Sequence, residues 1–354
     1  MSLSVGLEIG TYSIKMVELL HKRRSFRLRR LAQLRIPPAK EKNASENSIA
    51  EAIRSLFSRY KIDKRCVISG IGGDSAIVRR IKVPLMKLKE LRRAIRWEAE
   101  QYIPYPIDQV TLRFHILEEE PSEKEERKMS VILVGVRNEV IEAHLQLLQK
   151  VGIHPHIIDI NPIALFNIFN LSNSKEKDRV ALVDLGHSMT NLILLDKRGP
   201  FLIRTISIGG LQLTQAIAQQ LNLDYMAAEK IKEEYGLLTL DESEKMKEKS
   251  IAAQVDEIIR KSIDDLIEEI VRSFEYYASQ TGGSTIKEMV LVGGTSYLKG
   301  IDKFLSKELG LPVKRFNPFE GIAYNPKEFS SDYLNKVGSI FAVGLGLALR
   351  RREL

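Results

Sequence analysis

Gly6-Leu7-Glu8-Ile9-Gly10-Thr11 opens this chain, and Lys15 follows shortly after it. Apolar residues that run into a glycine turn are typical of a buried strand entering a tight loop. Such loops bring backbone N–H groups close to phosphate oxygens. Val183-Asp184-Leu185-Gly186, with Thr190 after it, repeats the pattern, and each stretch has an acid two residues before its glycine. The two stretches predict facing turns that clamp a triphosphate and its Mg²⁺ between two domains.

Two further glycine segments follow in the same order along the chain: Leu291-Val292-Gly293-Gly294-Thr295 and Val343-Gly344-Leu345-Gly346. A single glycine pair is more often an ordinary β-turn than a ligand loop. It is the arrangement of all four segments that favours a nucleotide cleft.

Composition indicates a globular protein of more than one domain. The chain has 354 residues, of which 44% are hydrophobic and 28% charged, and this length predicts two to three domains. Cys66 is the single cysteine, so it forms no intramolecular disulfide, and its simplest interpretation is a buried inert thiol. No window approaches the about 18 uninterrupted apolar residues of a spanning helix. We therefore expect any membrane association to be peripheral or through a partner.

The net charge of +8 is concentrated in three basic clusters, at residues 22–30, 87–96 and 350–352. A solvated strand face is the simplest interpretation of the first cluster, with anionic lipid or an acidic peptide as alternatives. Aromatic residues do not alternate with these arginines as a stacking platform requires, so nucleic acid is disfavoured.

The strand pattern predicts a duplication. Strands are predicted at 5–10, 14–20, 26–36, 66–71 and 76–83, with a helix at 48–60. A second meander is predicted at 180–185, 191–196 and 201–208, and further elements are helices at 211–221, 226–235, 250–280 and 298–309 and a strand at 286–292. We expect residues 238–249 to form a mobile loop. The repeated strand, acidic glycine turn and strand indicate two related halves.

Between the halves lies a segment with the pattern of a small separate unit. Residues 87–101 predict an amphipathic helix that ends before Pro104. Strands are predicted at 110–117 and 129–136 around a charged hairpin tip at 118–128, followed by a helix at 138–151 and a strand at 156–160.

These patterns together resemble the superfamily of actin, Hsp70 and sugar kinases, and within it the PilM family of type IV pilus assembly. The most specific match is Glu98-Ala99-Glu100-Gln101-Tyr102-Ile103-Pro104-Tyr105-Pro106, and Ala228-Glu229-Lys230-Ile231-Lys232 also matches. The resemblance implies an α/β fold: actin-like, ribonuclease H-like duplicated domains around a nucleotide cleft, with an inserted small α+β (SHS2-type) subdomain. It implies subdomain 1A at 1–84, 153–178 and 318–354, the insertion at 85–152, 2A at 179–210 and 285–317, and 2B at 211–284.

The resemblance also implies ATP and Mg²⁺ as cofactors. Glu8 and Asp184 would hold Mg²⁺ through water, whereas the Glu229 and Lys232 pair would contact ribose and adenosine. A surface ion pair is the alternative for that pair, since the two residues are three apart on one helical face. The residues implied for nucleotide binding are Gly10, Thr11, Tyr12, Ser13, Lys15, Gly186, Thr190, Gly210, Glu229, Lys232, Gly293, Gly294 and Thr295.

Two departures from the superfamily pattern bear on hydrolysis. Glu8 replaces the aspartate of the wider superfamily, a change that PilM-like sequences share. Asn161 stands where many relatives carry a glutamate or glutamine that orients the attacking water. A short neutral amide is a poor general base, so we expect ATP binding with at most slow hydrolysis.

The partner implied by the resemblance is the cytoplasmic N-terminal peptide of the membrane protein PilN, and through it PilO and PilP, with pilus motor ATPases as a further candidate. The protein would then be cytoplasmic and held at the inner membrane through partners. A peptide groove beside the insertion is predicted to include Arg92, Arg96, Trp97, Tyr102 and Tyr105. The three aromatic residues are equally consistent with the core of the small unit. Whether the chain self-associates stays open.

Three alternatives remain at this point. A division protein like FtsA carries a similar insertion, but it has a C-terminal membrane helix, and we expect none here because the chain ends at Leu354. A metabolite kinase would need an acidic base in a substrate cleft, and no residue stands out for that role. Type II secretion relatives share much of the pattern but fuse it to a transmembrane part.

Overall fold

The computed structural model describes residues 2–22, 25–36, 42–120, 128–172, 178–238 and 250–350. Its first sheet contains β1 (Ser2–Ile9), β2 (Ser13–His21), β3 (Phe26–Arg35), β4 (Val67–Ile71) and β8 (Ile157–Ile160). The strand order is β3-β2-β1-β4-β8. The first three strands form an antiparallel meander, and β4 and β8 extend it in parallel.

The second sheet repeats the first. It contains β9 (Val180–Leu185), β10 (Thr190–Asp196), β11 (Gly199–Ile206), β12 (Glu288–Val292) and β13 (Val313–Arg315). Its order, β11-β10-β9-β12-β13, is again a meander followed by two parallel strands. The predicted duplication is therefore confirmed, since the strands of the two sheets correspond in order and direction.

A third, smaller sheet belongs to the insertion. It contains β5 (Ala76–Pro84), β6 (Val110–Glu120) and β7 (Lys128–Arg137) in the antiparallel order β5-β7-β6. Helix α2 (Leu88–Glu100) covers it, and the core of this unit includes Leu91 and Ile95. Because β5 pairs with β7 along its whole length, the sheet of the insertion begins at Ala76, before the boundary predicted at residue 85. The subdomain boundaries stay proposals.

The other described helices pack on the two large sheets. They are α1 (Lys42–Tyr60), α3 (Asn138–Lys150), α4 (Asn161–Ser172), α5 (Gly210–Leu221), α6 (Tyr225–Tyr235), α7 (Ile251–Gln280), α8 (Ile301–Leu309), α9 (Ser331–Val337) and α10 (Ala342–Ala348). Helix α3 connects the insertion to the first sheet, since Leu148 is buried with Ile53 and His144 lies 2.8 Å from the Ser69 hydroxyl.

Glycines allow α10 to lie directly between β1 and α4. A Cβ atom at Gly6 would stand 2.0 Å from the Gly344 carbonyl oxygen, and one at Gly346 would stand 2.0 Å from that of Ala164. No real side chain tolerates such distances, so this close backbone approach requires glycine. The fourth glycine segment of the sequence is therefore a helix contact.

Several sequence predictions fall outside the described residues. They are the centre of the hairpin tip at 121–127, the loop at 239–249, and the arginines at 23, 24, 351 and 352. Within the described residues, no helix combines the length and apolar character needed to cross a bilayer.

Candidate functional site

The two acidic glycine turns line one cavity of about 630 Å³. The turn between β1 and β2 enters from the first sheet, and the turn between β9 and β10 enters from the second. Fourteen of the sequence-predicted residues line the cavity: Glu8, Gly10, Thr11, Tyr12, Ser13, Lys15, Asn161, Asp184, Gly186, Glu229, Lys232, Gly293, Gly294 and Thr295. Residues from distant parts of the chain thus converge on one cleft.

Both turns have the same backbone hydrogen bond. The Gly10 N–H donates to the Ser13 carbonyl over 3.2 Å, and the Gly186 N–H donates to the Met189 carbonyl over 3.0 Å. An added Cβ at Gly186 would stand 2.6 Å from that Met189 oxygen, so the second turn requires glycine.

The acid of the first turn is paired with a cation. Glu8 lies opposite Lys15 across the β1–β2 ladder, and Lys15 Nζ donates to Glu8 Oε1. The other carboxylate oxygen, Glu8 Oε2, is buried and has no hydrogen-bond partner within the described residues. A buried unpaired carboxylate oxygen is costly, and a metal-bound water would satisfy it.

The acid of the second turn has an amide in place of the cation. Asp184 lies opposite Asn191 across the β9–β10 ladder, and Asn191 Nδ2 donates to Asp184 Oδ2 over 3.2 Å. Burial, together with the nearby Glu8 carboxylate, raises the pKa of Asp184 to about 6. Two acids in one cavity repel each other, and a divalent cation between them would remove that repulsion.

The two turns touch each other at the mouth of the cleft. The Ser188 hydroxyl donates to Thr11 Oγ1 over 2.9 Å. The rings of Tyr12 and His187 lie 4.9 Å apart, and the Arg35 guanidinium lies 4.6 Å from the Tyr12 ring centre. These contacts join the two halves directly.

Glu229 and Lys232 form a buried cluster with Thr214. Lys232 Nζ donates to Glu229 Oε2 over 2.8 Å, to Thr214 Oγ1 over 2.7 Å and to the carbonyl oxygen of Gly210 over 3.1 Å. The pair is only 7% and 6% exposed, so the alternative of a surface ion pair is wrong. Burial alone would raise the pKa of Glu229, but the hydrogen bonds from Lys232 and Thr214 outweigh it and hold that pKa below its usual value.

The third glycine segment closes the cavity beside the second turn. Gly293 has φ of +88°, and an added Cβ would stand 2.4 Å from both Asp184 Oδ1 and the Leu185 carbonyl oxygen. The Thr295 hydroxyl donates to the Gly186 carbonyl over 2.8 Å. Gly294 has nothing within 4 Å of an added Cβ, so it is open to the cavity.

Asn161 and the two predicted residues outside the lining, Gly210 and Thr190, have different positions. Asn161 lines the cavity, and its Oδ1 is buried without a hydrogen-bond partner within the described residues. Gly210 lies behind the lining, where its N–H donates to the Gly186 carbonyl over 3.0 Å. The prediction for Thr190 needs correction: its side chain is fully buried and its hydroxyl donates to the Ile208 carbonyl, so it cannot present that hydroxyl to a phosphate.

The predicted peptide-groove residues lie on the surface of the insertion. Arg92 and Arg96 on α2 are exposed, and Trp97 is 73% exposed. Tyr102 and Tyr105 follow α2 and are 38% and 42% exposed. The alternative that these aromatic residues form the core of the small unit is therefore wrong. Tyr105 lies beside the start of α3, because its ring is 5.2 Å from the Arg137 guanidinium.

Several residues that line the cavity, or that hydrogen-bond to lining residues, were not predicted from the sequence. They include Asn191, His187, Ser188, Asp74 and Thr214. Asn191 was detectable, since it follows Asp184 at the spacing at which Lys15 follows Glu8. Thr214 carries no local signal, because it reaches the cluster only through the packing of α5 against α6.

Comparison with known proteins now identifies the family. The family model described as Type IV pilus assembly protein PilM matches residues 6–352. The chain belongs to the PilM family. A solved structure of the PilM-PilN type IV pilus biogenesis complex contains a chain 34% identical to this one, with 98% of both chains covered and a TM-score of 0.84. This PilM-family chain is thus a pilus assembly protein with an actin-like fold.

More distant relatives agree on the fold. The chain is 23% identical over 214 residues to the cell division protein FtsA of Staphylococcus epidermidis, which covers 58% of this chain and 45% of that protein. The chain thus spans about half the length of the curated relatives it matches. MreB5 of Spiroplasma citri bound to AMPPNP is 12% identical with a TM-score of 0.53, covering 97% of this chain and 95% of that one.

Proposed function

We propose that this protein is an ATP-binding scaffold of the pilus assembly complex, whose occupied cleft sets the angle between its two halves. The observation that carries the proposal is the pair of matched turns, whose acids line one cavity: one Glu8 oxygen has no partner among the described residues, and burial beside Glu8 raises the pKa of Asp184. The solved MreB5 relative, whose bound ligand is AMPPNP, supports the nucleotide assignment.

The phosphates would lie between the two turns. Lys15 would supply the cation for the β- and γ-phosphates, and Thr11, Tyr12 and Ser13 would supply backbone N–H groups, since that of Gly10 donates to the Ser13 carbonyl. Glu8 and Asp184 would hold Mg²⁺ through water, since Mg²⁺ keeps much of its water shell in proteins. A bound Mg²⁺ would supply charge neutralisation between the phosphates and the two acids.

The nucleoside would lie against the buried cluster on α6. Lys232 uses all three of its N–H bonds within the protein, so its task is to orient Glu229. Glu229 Oε2 accepts one hydrogen bond from Lys232 and one from the Thr214 hydroxyl, which leaves Oε1 to accept a hydrogen bond from a ribose hydroxyl. Gly294 offers open backbone against which a purine can lie.

Hydrolysis is expected to be slow. Asn161 lines the cavity, but its amide cannot take up a proton from an attacking water. The side chain can orient a water or a metal-bound water through Oδ1, and no more. We therefore propose a binding switch and not an efficient ATPase.

The proposed partner is the cytoplasmic N-terminal peptide of PilN, with PilO and PilP reached through it and the pilus motor ATPases as further candidates. The related PilM-PilN complex supports PilN. A peptide groove beside α3 fits, because α3 joins the insertion to the first sheet and Tyr105 lies at its start. Association with the inner membrane through PilN follows from this partner.

The test is calorimetric titration with a synthetic N-terminal PilN peptide, with and without Mg²⁺ and ATP. We expect specific binding, and an affinity that changes when ATP is present. Tyr105→Ala should weaken peptide binding by roughly tenfold or more, as for an aromatic anchor. Tyr276→Ala is the matched control, because Tyr276 is a comparably exposed tyrosine on α7. A protein that binds ATP but ignores the peptide in both states would contradict the scaffold role.

A division scaffold like FtsA is the second candidate. The FtsA relatives support it, but the alignment covers 58% of this chain, against 98% for the chain from the pilus complex. Filament formation with ATP, detected by sedimentation in the absence of any pilus peptide, would favour this alternative.

A further inference from the structure

Helix α2 of the insertion has two contrasting faces. Leu91, Ile95 and Ala99 are buried at i, i+4 and i+8, and they share a core with the third sheet. The other face is exposed and carries four cations, Lys89, Arg92, Arg93 and Arg96, against the two exposed carboxylates of Glu90 and Glu100. The nucleotide cleft uses none of these four cations.

These four cations have no polar partner among the residues that the structure describes. No hydrogen bond or ion pair joins Lys89, Arg92, Arg93 or Arg96 to another described residue. Exposed cations on α7 behave differently: Lys261 pairs with Glu257 over 2.7 Å, and Arg272 pairs with Glu269 over 2.6 Å. Exposed cations without a fixed partner on one helix face fit a diffuse layer of negative charge better than a site with fixed geometry.

An exposed indole stands at the edge of the same face. Trp97 is 73% exposed, and Arg93 precedes it by one helical turn. Leu88, at the start of α2, is 49% exposed. A large aromatic ring beside several cations is the composition of a helix that lies in the interface of a membrane, with the ring at the headgroup level.

We infer that the exposed face of α2, from Leu88 to Trp97, docks this protein directly on an anionic lipid surface. The cations bind the headgroups by charge, and Trp97 enters the interface. The inference goes beyond attachment through PilN, because it predicts lipid binding by the isolated protein. It assigns Arg92, Arg96 and Trp97 to the membrane and leaves Tyr105 to the peptide groove, and it does not rest on the pilus role or on nucleotide binding.

The protein carries its own reporter for this test, since Trp97 is its single tryptophan. The full chain is mixed with vesicles of phosphatidylcholine containing about one third phosphatidylglycerol, and with pure phosphatidylcholine vesicles. We expect flotation only with the anionic vesicles, a shift of Trp97 emission to shorter wavelength, and loss of both at high salt.

Variants locate the contact on α2. Each cation near an anionic surface contributes about fivefold to binding, so Arg92→Ala with Arg96→Ala should weaken flotation by roughly 25-fold. Lys261→Ala with Arg272→Ala removes the same charge from α7 and should leave flotation unchanged to within about twofold. Both pairs are exposed, and circular dichroism checks that both variants fold.

Other outcomes would overturn the inference. Absence of flotation with anionic vesicles would do so, as would equal loss in the two double variants. Flotation with unchanged Trp97 emission would place the lipid contact on another surface. A shift of emission with soluble polyglutamate, without vesicle binding, would identify α2 as a surface for an acidic peptide. The vesicle assay contains neither the PilN peptide nor ATP. Its result can therefore be interpreted even if the protein binds neither of those ligands.

Discussion

The turn at Gly10 and the turn at Gly186 share a backbone but differ in charge. In each, an acid precedes the glycine by two residues, and the glycine N–H donates to the carbonyl three residues on. Across the ladder, Glu8 meets the cation of Lys15, whereas Asp184 meets the amide of Asn191. The duplicated turns thus share the same main-chain hydrogen bond.

The side chains opposite the two acids give the two turns different electrostatic properties. Lys15 leaves the first turn able to attract phosphate, while the uncompensated Asp184 leaves the second turn in need of a cation. Two turns with the same residue opposite the acid would have presented the same charge to the ligand from both sides. The asymmetry suits an anionic nucleotide that arrives with a divalent metal ion.

The largest expected effect is on stability, from a substitution in the glycine segment that packs against the second turn. Gly293→Ala places a Cβ against Asp184 and the Leu185 carbonyl at a positive φ, so it should lower the free energy of unfolding by about 4 kcal/mol. Gly294→Ala is the matched control, since an added Cβ there meets nothing within 4 Å. Chemical denaturation measures both, and equal stability of the two variants would contradict the packing argument.

The next variant makes the first turn like the second. Lys15→Asn replaces the cation by the amide that faces Asp184, and it should weaken ATP binding by roughly 100-fold, because a charged hydrogen bond to phosphate is lost. Calorimetry with ATP and Mg²⁺ measures the change, with Lys261→Ala as the control for overall charge. Retained affinity would show that the phosphates do not lie at this turn.

The stability of the protein as a function of pH tests the electrostatic difference between the two turns. Burial and then Glu8 raise the pKa of Asp184 to about 6 from 3.8, so the folded state holds this proton more tightly than the unfolded chain. The resulting stabilisation is complete below pH 3.8 and is lost as the pH rises through about 6. Relative to the wild type, Asp184→Asn should therefore gain about 2 kcal/mol in free energy of unfolding between about pH 4 and 7 without Mg²⁺.

The same titration predicts metal dependence. Mg²⁺ requires the ionised carboxylate, so the stabilisation of the wild type by Mg²⁺ and ATP should grow as the pH rises through about 6. Asp184→Asn should lose most of that growth. Thermal unfolding with and without the ligands measures it, and a flat profile in the wild type would argue against a metal at Asp184.

The smallest expected effect concerns hydrolysis. Asn161→Ala should change the single-turnover rate of ATP hydrolysis by less than about threefold, because an amide supplies no general base. Asn161→Glu places a carboxylate at the same position, and a rise in rate would confirm that the position faces the attacking water. A large loss of rate in Asn161→Ala would instead make the amide an important group.

Local sequence determined the parts of this protein that depend on neighbours in the chain. The meanders, the acidic glycine turns and the amphipathic pattern of α2 follow from periodicity and from the need for glycine in tight turns. Helix α4 was not predicted as a helix, although its Asn161 was chosen. The place of β5 in the sheet of the insertion, before the boundary proposed at residue 85, follows from its pairing with β7, which is separated from it in sequence.

Tertiary structure alone decided the chemistry of the site. Thr190 and Thr214 are both fully buried threonines, yet Thr190 donates to the Ile208 carbonyl beside the second sheet while Thr214 joins the Glu229 cluster. The sequence placed Trp97 on a helix, but only the packing of Leu91 and Ile95 left its ring in solvent. Periodicity indicates which faces an element has, whereas burial, distance and the pKa of Asp184 arise from contacts between residues far apart in the chain.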